Sequence, residues 1–497
     1  MGKKITQHNW MIHLPYLWLI IATLFLFFAN GLHTVFIATW LAPIFLIRFL
    51  RLQPVLHGVI IALLVNVIVT IVTWRGMIPV PGPLYIIIAG LIGVLSFIPY
   101  VIDRLFWGRL NGFLSTLIFP CSWIISEYVN SLTNPYATWG SVIYTQMEGS
   151  LAFLQSLAIT GIWGPVFLLT WFAAIINWIW ESNFNWPMIK RGTLTYICIF
   201  LAVLFFGGLR LSVFHPVSGT VRIASIVSPF EWVLKTETSD SNELKELRMS
   251  TLSVQGELLH LTKQAVLGDA DIVFWNEAAA PVFEEDEKSL VKKGSKLASE
   301  LGIYLMMSLY TRPGNYPVKR LQNKVLMFNP HGKKEFEYTK ARPVPGETIE
   351  KGDGELIHID TPFGRIGTAI CYDMDFPDLI RQAGKNDVDM MLVPADDWQE
   401  INPVHTYMAS VRAIENGFSL VRSTKEGLSA AFDYQGRLLN ALDDFETDKK
   451  IMYSDVPLKG VVTVYSRVGD LFAWMSITGL MILIGLIWKN RNKGQNR

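Results

Sequence analysis

Eight long, nearly uncharged apolar runs set the limits on what this chain can fold into. Seven cover approximately residues 11–29, 34–50, 55–73, 84–102, 111–129, 157–180 and 193–212, and the eighth covers 470–488. Each has about the length a helix needs to cross a hydrocarbon layer, where the backbone must satisfy its own hydrogen bonds. Only 17% of the 497 residues are charged, which is low for a soluble protein. The first run is too long for a cleavable signal, and no small-residue cleavage site ends it. Most acidic residues lie at 230–460, between the seventh and eighth runs. The expected organisation is a membrane domain with seven transmembrane helices (1–212), a soluble domain (213–468), and a last transmembrane helix with a basic tail (469–497).

Basic residues give the expected orientation. Lys3 and Lys4, Arg48 and Arg51, Arg104 and Arg109, Lys190 and Arg191, and the tail residues Lys489, Arg491, Lys493 and Arg497 fall on alternate sides of successive spans. The opposite loops, 30–33, 74–83 and 130–156, hold Arg75 and no lysine. By the positive-inside rule both termini are cytoplasmic, and seven leading spans place the soluble domain on the extracytoplasmic face. A net charge of +1 gives no electrostatic case for nucleic acid. Three cysteines make no disulfide framework: Cys121 and Cys198 lie in apolar runs, and Cys371 stands alone in the soluble part. Glu127, near a span end, reads as solvated, and no run of intramembrane acids supports an ion-coupled transporter.

In the soluble part, strand-like runs at 221–227, 272–275, 303–309, 325–328, 366–371, 390–393, 418–421 and 428–432 alternate with helical patterns at 244–266, 285–300, 376–384 and 404–416. That alternation argues an α/β domain with helices covering a layered core of strands. Three polar residues stand where such strands end. Glu277 closes IVFWNE, where partial desolvation beside Trp275 suits a general base. Lys340 lies in EYTKARPVPGE, stiffened by Pro343, Pro345 and Gly346, where a fixed ammonium can stabilise an oxyanion. Cys371 ends the run RIGTAIC, before Asp375, Phe376 and Pro377 open a helix. The backbone N–H groups of that turn favour a thiolate. Taken singly, each has a plainer reading: a solvated acid, a solvated lysine, a buried small hydrophobe. Together they make a base, an electrostatic clamp and a nucleophile, the parts of an acyl-transfer site. No metal ligand set is expected, because His260, His331, His358 and His405 show no ligand spacing.

The order WNEAAAP, YTKARPVPGE, ICYDMDFP resembles the Glu-Lys-Cys arrangement of the nitrilase (carbon–nitrogen hydrolase) superfamily. The segments VPADDWQE, HTYMASVRAIENGFSLVRSTKEGLSAAFDYQGRLL and VPLKGVVTVYSRVGD extend the likeness. With seven spans before the domain and one after, the whole chain resembles the apolipoprotein N-acyltransferase branch of that superfamily. The resemblance implies a polytopic α-helical membrane domain of about eight transmembrane helices plus an α-β-β-α sandwich. It also implies a monomeric enzyme of the bacterial cytoplasmic membrane that needs no cofactor. Its acyl donor would be a membrane phospholipid and its acceptors diacylglyceryl-modified lipoproteins; the alternative is a membrane-tethered amidase or an acyltransferase with another acceptor. Carried over by residue, Glu277 deprotonates the thiol, Cys371 forms the thioester, and Lys340 holds the oxyanion with the backbone N–H near Tyr372. Glu347 supports the site, and Trp398 and Arg422 lie near the pocket. Phe230, Trp232, Val282 and Phe283 are candidates for exposed apolar residues that meet lipid. Three features depart from the family pattern: PGE in place of PFGE, Asp373 in place of Glu after Cys-Tyr, and SPFEWVLK without Gln-Gly-Asn.

Overall fold

The computed structural model describes residues 10–228, 241–313 and 320–495. Two compact units emerge: Met1–Asn134, Thr138–Arg210 and Val468–Arg497 form one, and Pro135–Ala137 with Leu211–Arg467 form the other.

Each expected apolar run of the first unit contains a helix. The helices are Trp10–Ala29, Phe36–Leu52, Val55–Thr73, Gly82–Phe106, Ile118–Thr133, Trp163–Glu181, Trp186–Val213 and Leu471–Gln495. Among the described residues, five are long and apolar enough to cross a membrane: Val55–Thr73, Gly82–Phe106, Trp163–Glu181, Trp186–Val213 and Leu471–Lys489. Local chemistry sets the helix ends in several runs. Gln53 precedes Pro54, which pushes it out of helical conformation and stops Phe36–Leu52 at 17 residues. Residues 113–117 form a 3-10 turn, leaving 16 residues for Ile118–Thr133. Gly161, at φ +61°, divides the expected 157–180 span into a short helix, Leu157–Thr160, and the longer Trp163–Glu181. The charges also do more than mark orientation. Arg51 is buried and pairs with Asp103 (2.7 Å) and Glu181 (3.1 Å), joining three helices. Glu127 is not simply solvated: it accepts from Trp123 Nε1 (2.8 Å), Ser141 Oγ (2.6 Å) and Val142 N (3.3 Å).

The second unit is built on β1 (Thr220–Ile226), β2 (Ile272–Trp275), β3 (Ala280–Phe283), β4 (Tyr304–Arg312), β5 (Gln322–Phe328), β6 (Lys334–Thr339), β7 (His358–Thr361), β8 (Gly364–Thr368), β9 (Met390–Asp396), β10 (Ser419–Lys425), β11 (Leu428–Phe432), β12 (Leu438–Asp443) and β13 (Ile451–Pro457). One sheet has the order β13-β1-β2-β4-β5-β6, with β3 also paired to β4, and the other has β12-β11-β10-β9-β8-β7. Alternation along the strands assigns the faces. Ile272, Phe274 and Met306 of the first sheet share a core with Ile366, Met390, Leu392 and Leu420 of the second. Val273, Trp275, Leu305 and Met307 point the other way, under Leu258 and Leu261 of helix Ser241–Val266 and Leu290 and Leu297 of helix Glu284–Leu301. Helices Pro377–Lys385 and Val404–Asn416 contribute Leu379, Ile380, Ala409 and Ala413 to the inner core through the second sheet. The layers are thus helix, sheet, sheet, helix. Gly417 (φ +81°) ends the 404–416 helix where a Cβ would stand 1.8 Å from the Val461 carbonyl, so no larger residue fits that approach.

Candidate active site

The segments that follow β2, β6 and β8 bring the three expected residues together. Glu277 follows β2 and Asn276, and its N–H reaches the Ala395 carbonyl of the facing sheet at 3.3 Å. Lys340 follows β6 and is anchored by its own N–H to the Asn323 carbonyl, 2.9 Å away. Its Nζ donates to Glu277 Oε1 at 2.8 Å and to Glu347 Oε2 at 2.9 Å. Glu347 is placed by the Pro-Gly turn, where Val344 N also donates to Oε2 (3.0 Å). Asn323 Nδ2 donates to Glu277 Oε1 at 2.7 Å, so this oxygen carries two donors. Glu277 and Lys340 expose only 4% and 2% of their surface. Burial works against the Lys340 ammonium, but Glu277 and Glu347, with Cys371, outweigh it and hold the amine well above its usual range. Lys340 therefore stays cationic at working pH.

Cys371 is not the last residue of a strand. β8 ends at Thr368, and Cys371–Asp375 form a 3-10 turn before the helix Pro377–Lys385. Cys371 adopts φ +48°, a left-handed conformation that L residues with a Cβ occupy only under constraint. Its Sγ lies 3.7 Å from the Asp396 carbonyl and 4.0 Å from Asp397 Oδ1. The expected resting thiolate is overturned. Burial and then the Glu277 charge push the thiol well above its ordinary value, and Lys340 and Arg422 only partly oppose them. The resting sulfur holds its proton, and a base is needed to remove it.

Asp373 sits in a cage of donors. Tyr338 Oη (2.8 Å) and Ile370 N (3.0 Å) donate to Oδ2, and Arg342 N (2.7 Å) donates to Oδ1. It thus links the turn of Cys371 to the segment just past Lys340. Burial raises its carboxyl from 3.8 to about 6, against those hydrogen bonds. A carboxyl raised on folding contributes stability that is complete below the unfolded value and is lost as pH rises through the folded one. From pH 4 to 7, wild type is therefore expected to lose about 2 kcal/mol relative to Asp373→Asn, on top of a pH-independent offset from the lost acceptors. Unfolding curves of both proteins across that range check this; parallel curves would refute it.

Tyr372 donates to the Pro135 carbonyl at 2.8 Å, within the same unit. Arg422 is fully buried and donates to Asp397 Oδ1, close to His405, rather than to Glu277. Trp398 is half-buried on the loop next to Asp397. Phe283 is not an exposed apolar tip. It ends β3, which pairs in parallel with β4, and it is buried under the Arg312 guanidinium, 5.6 Å from its ring. Val282 is buried as well. Phe230 and Trp232 lie outside the described residues.

Asn323, Tyr338 and Asp397 went unread in the sequence, and Asp375 and His405 were read only as a helix start and as a histidine without metal-ligand spacing. The available signal was the pair Asp396-Asp397 directly after an apolar strand, with a histidine in the helix that follows. Cys371 Sγ, an Asp397 oxygen and a His405 nitrogen lie within 4.8 Å of one another, a spacing a metal ion can bridge. Arg422 makes the set a poor cation site. Its Nη2 stands 2.9 Å from both Asp397 Oδ1 and His405 Nδ1, so a fixed positive charge already serves the carboxylate.

The carbon–nitrogen hydrolase family profile matches residues 249–465, the span that holds all of these groups. The apolipoprotein N-acyltransferase of Geobacter metallireducens is 24% identical over 460 residues, covering 86% of this chain and 84% of that protein. The apolipoprotein N-acyltransferase of Shewanella oneidensis is 23% identical over 411 residues, covering 76% and 74%. Among solved structures, an amidase from Nesterenkonia sp. matches 52% of this chain and 96% of its own at 17% identity and a TM-score of 0.41. The acid, amine and thiol therefore sit in a carbon–nitrogen hydrolase domain, within an enzyme that is similar along most of its length to apolipoprotein N-acyltransferases.

Proposed function

We propose that this chain is a multi-pass enzyme of the bacterial cytoplasmic membrane. It moves a fatty acyl group from a phospholipid, through a thioester on Cys371, to the α-amino group of a lipoprotein's N-terminal diacylglyceryl-cysteine. The observation that carries the reading is the buried Glu277–Lys340 contact, with Cys371 close enough for both charges to act on its thiol. Relatives named apolipoprotein N-acyltransferase over most of the chain support the choice of substrates.

In the first half-reaction Glu277 takes the thiol proton as sulfur attacks the ester carbonyl of the phospholipid. Lys340 and the N–H near Tyr372 stabilise the tetrahedral oxyanion. The C–O bond breaks, and the lyso-lipid alkoxide leaves with the proton that Glu277 returns. In the second, Glu277 accepts a proton from the lipoprotein amine as nitrogen attacks the thioester. The C–S bond then breaks, an amide forms, and the thiol is regenerated. No step changes an oxidation state, so no cofactor is needed. Both substrates are lipid-anchored, which suits a catalytic domain of residues 213–468 tethered by a span at each end on the extracytoplasmic face, with both chain termini in the cytoplasm. Eight spans and a monomer complete the reading.

Incubation of purified protein with a defined phospholipid, followed by intact-mass measurement, tests it. An adduct of fatty-acyl mass, released by hydroxylamine and discharged by a diacylated lipopeptide, is the expected result. Discharge by water alone would make the protein a lipid hydrolase, and no adduct in folded protein would favour an amidase.

A further inference from the structure

Beside the thiol lies a second set of charged side chains that the acyl-transfer steps leave unused. It draws on four elements: Asp375 at the end of the Cys371–Asp375 turn, Asp397 after β9, His405 in helix Val404–Asn416, and Arg422 on β10. None exposes more than 6% of its surface. The imidazole is held at both nitrogens, with Nδ1 2.7 Å from Asp397 Oδ1 and Nε2 3.1 Å from Asp375 Oδ1. Arg422 Nη2 donates to Asp397 Oδ1 at 2.9 Å, and that oxygen is the one 4.0 Å from Cys371 Sγ.

Position and charge each have a consequence. Asp375 belongs to the turn of Cys371 and Asp397 faces the sulfur from the neighbouring loop, so one imidazole fastens together the two segments that hold the thiol. A buried carboxylate at 4.0 Å opposes ionisation of that thiol, and the charges behind it decide how strongly. Arg422 and a protonated His405 balance Asp397 and Asp375; a neutral His405 leaves one negative charge in excess. Burial and the Arg422 guanidinium, 2.9 Å from Nδ1, disfavour the imidazolium, but Asp397 and Asp375 outweigh them and raise His405 to about 9.

We propose that His405 is a positioning residue for Cys371: with Asp375, Asp397 and Arg422 it fixes the nucleophile's turn and neutralises the carboxylate that faces the sulfur. This rests on the reading of Cys371 as the nucleophile and adds the device that keeps it ionisable. Among the described residues, the charged groups acting on the thiol are Glu277 and Lys340, then Asp397 and Arg422; those acting on His405 are Asp397, Arg422 and Asp375.

The test is the rate at which iodoacetamide alkylates Cys371 in the full chain in detergent. Peptide-resolved mass spectrometry separates it from Cys121 and Cys198. At pH 8, His405→Gln is expected to react about tenfold more slowly than wild type and Asp397→Asn about tenfold faster, as a shift of about one unit in thiol ionisation dictates. A purely structural part would loosen the site and move both rates the same way. Opposite signs uphold the proposal, and any other pattern overturns it. Where His405→Gln does not fold, Arg422→Gln takes its place, since it removes the other positive charge that balances Asp397; slower alkylation is again expected. The assay needs no lipid. Unmoved rates in a protein that forms the acyl adduct overturn this proposal alone, whereas the expected rates without any adduct overturn only the acyl-transfer reading.

Discussion

Cys371→Ala is expected to lower acyl transfer by about a millionfold, to the level of background, because no other group supplies the covalent intermediate. Fold should survive. Alanine meets the same backbone strain at φ +48° as cysteine does, and it removes one sulfur from a position whose neighbours are already bonded to one another. The comparison that decides is paired: acyl adduct by intact mass, and thermal unfolding of the same preparation. Loss of the adduct with an unchanged unfolding midpoint is the expected result. Turnover in the variant approaching that of wild type would sink the covalent mechanism outright.

Lys340→Met tests the clamp, and its effect has two parts. Removing the ammonium leaves Glu277 and Glu347 without the cation that stands 2.8 and 2.9 Å from them. Breaking a buried pair in this way costs about 3–5 kcal/mol, because an uncompensated charge stays behind. Loss of one oxyanion donor should separately lower the acylation rate by about 10²–10³. The parts separate by experiment. Adding Glu277→Gln to Lys340→Met removes one orphaned charge and should restore much of the stability, but no activity. A double variant as unstable as the single one would show that the pair does not carry the charge balance assigned to it.

The same pair shows why some of the site was legible in the sequence. Glu277 and Cys371 follow apolar, β-prone runs, where a polar residue is visible without knowing what it faces, and Lys340 stood out by the stiffening Pro343, Pro345 and Gly346. Glu347 was reached only through the family resemblance. His405 was not legible, since its meaning lies in Asp375 and Asp397, which tertiary structure alone brings to its two nitrogens. Judging it by spacing along the chain asked whether it binds metal and missed that it binds carboxylates. Phe283 was misread because a four-residue strand after the tight turn at Ala278 (φ +53°) looks like loop in a linear reading. The thiol's ionisation went the wrong way for a related reason. A turn's N–H groups can be inferred from sequence, but burial beside Glu277 and Asp397 cannot. In the first unit, run lengths found the helices, while Gly161 and the 3-10 turn at 113–117 set ends that hydropathy does not register.

The pairing of β1 bears on how this protein comes into being. That strand lies between β2, in parallel, and β13, in antiparallel register from Thr220↔Pro457 to Ile226↔Ile451. During synthesis the first strand of the unit must therefore wait, one edge open, until nearly the whole catalytic unit has been made. Contacts this distant in sequence form slowly and leave unpaired edges exposed meanwhile. Truncations that stop short of Ile451 should yield aggregation-prone chains rather than partly active ones, and the cell has reason to protect the nascent unit until its last strand arrives.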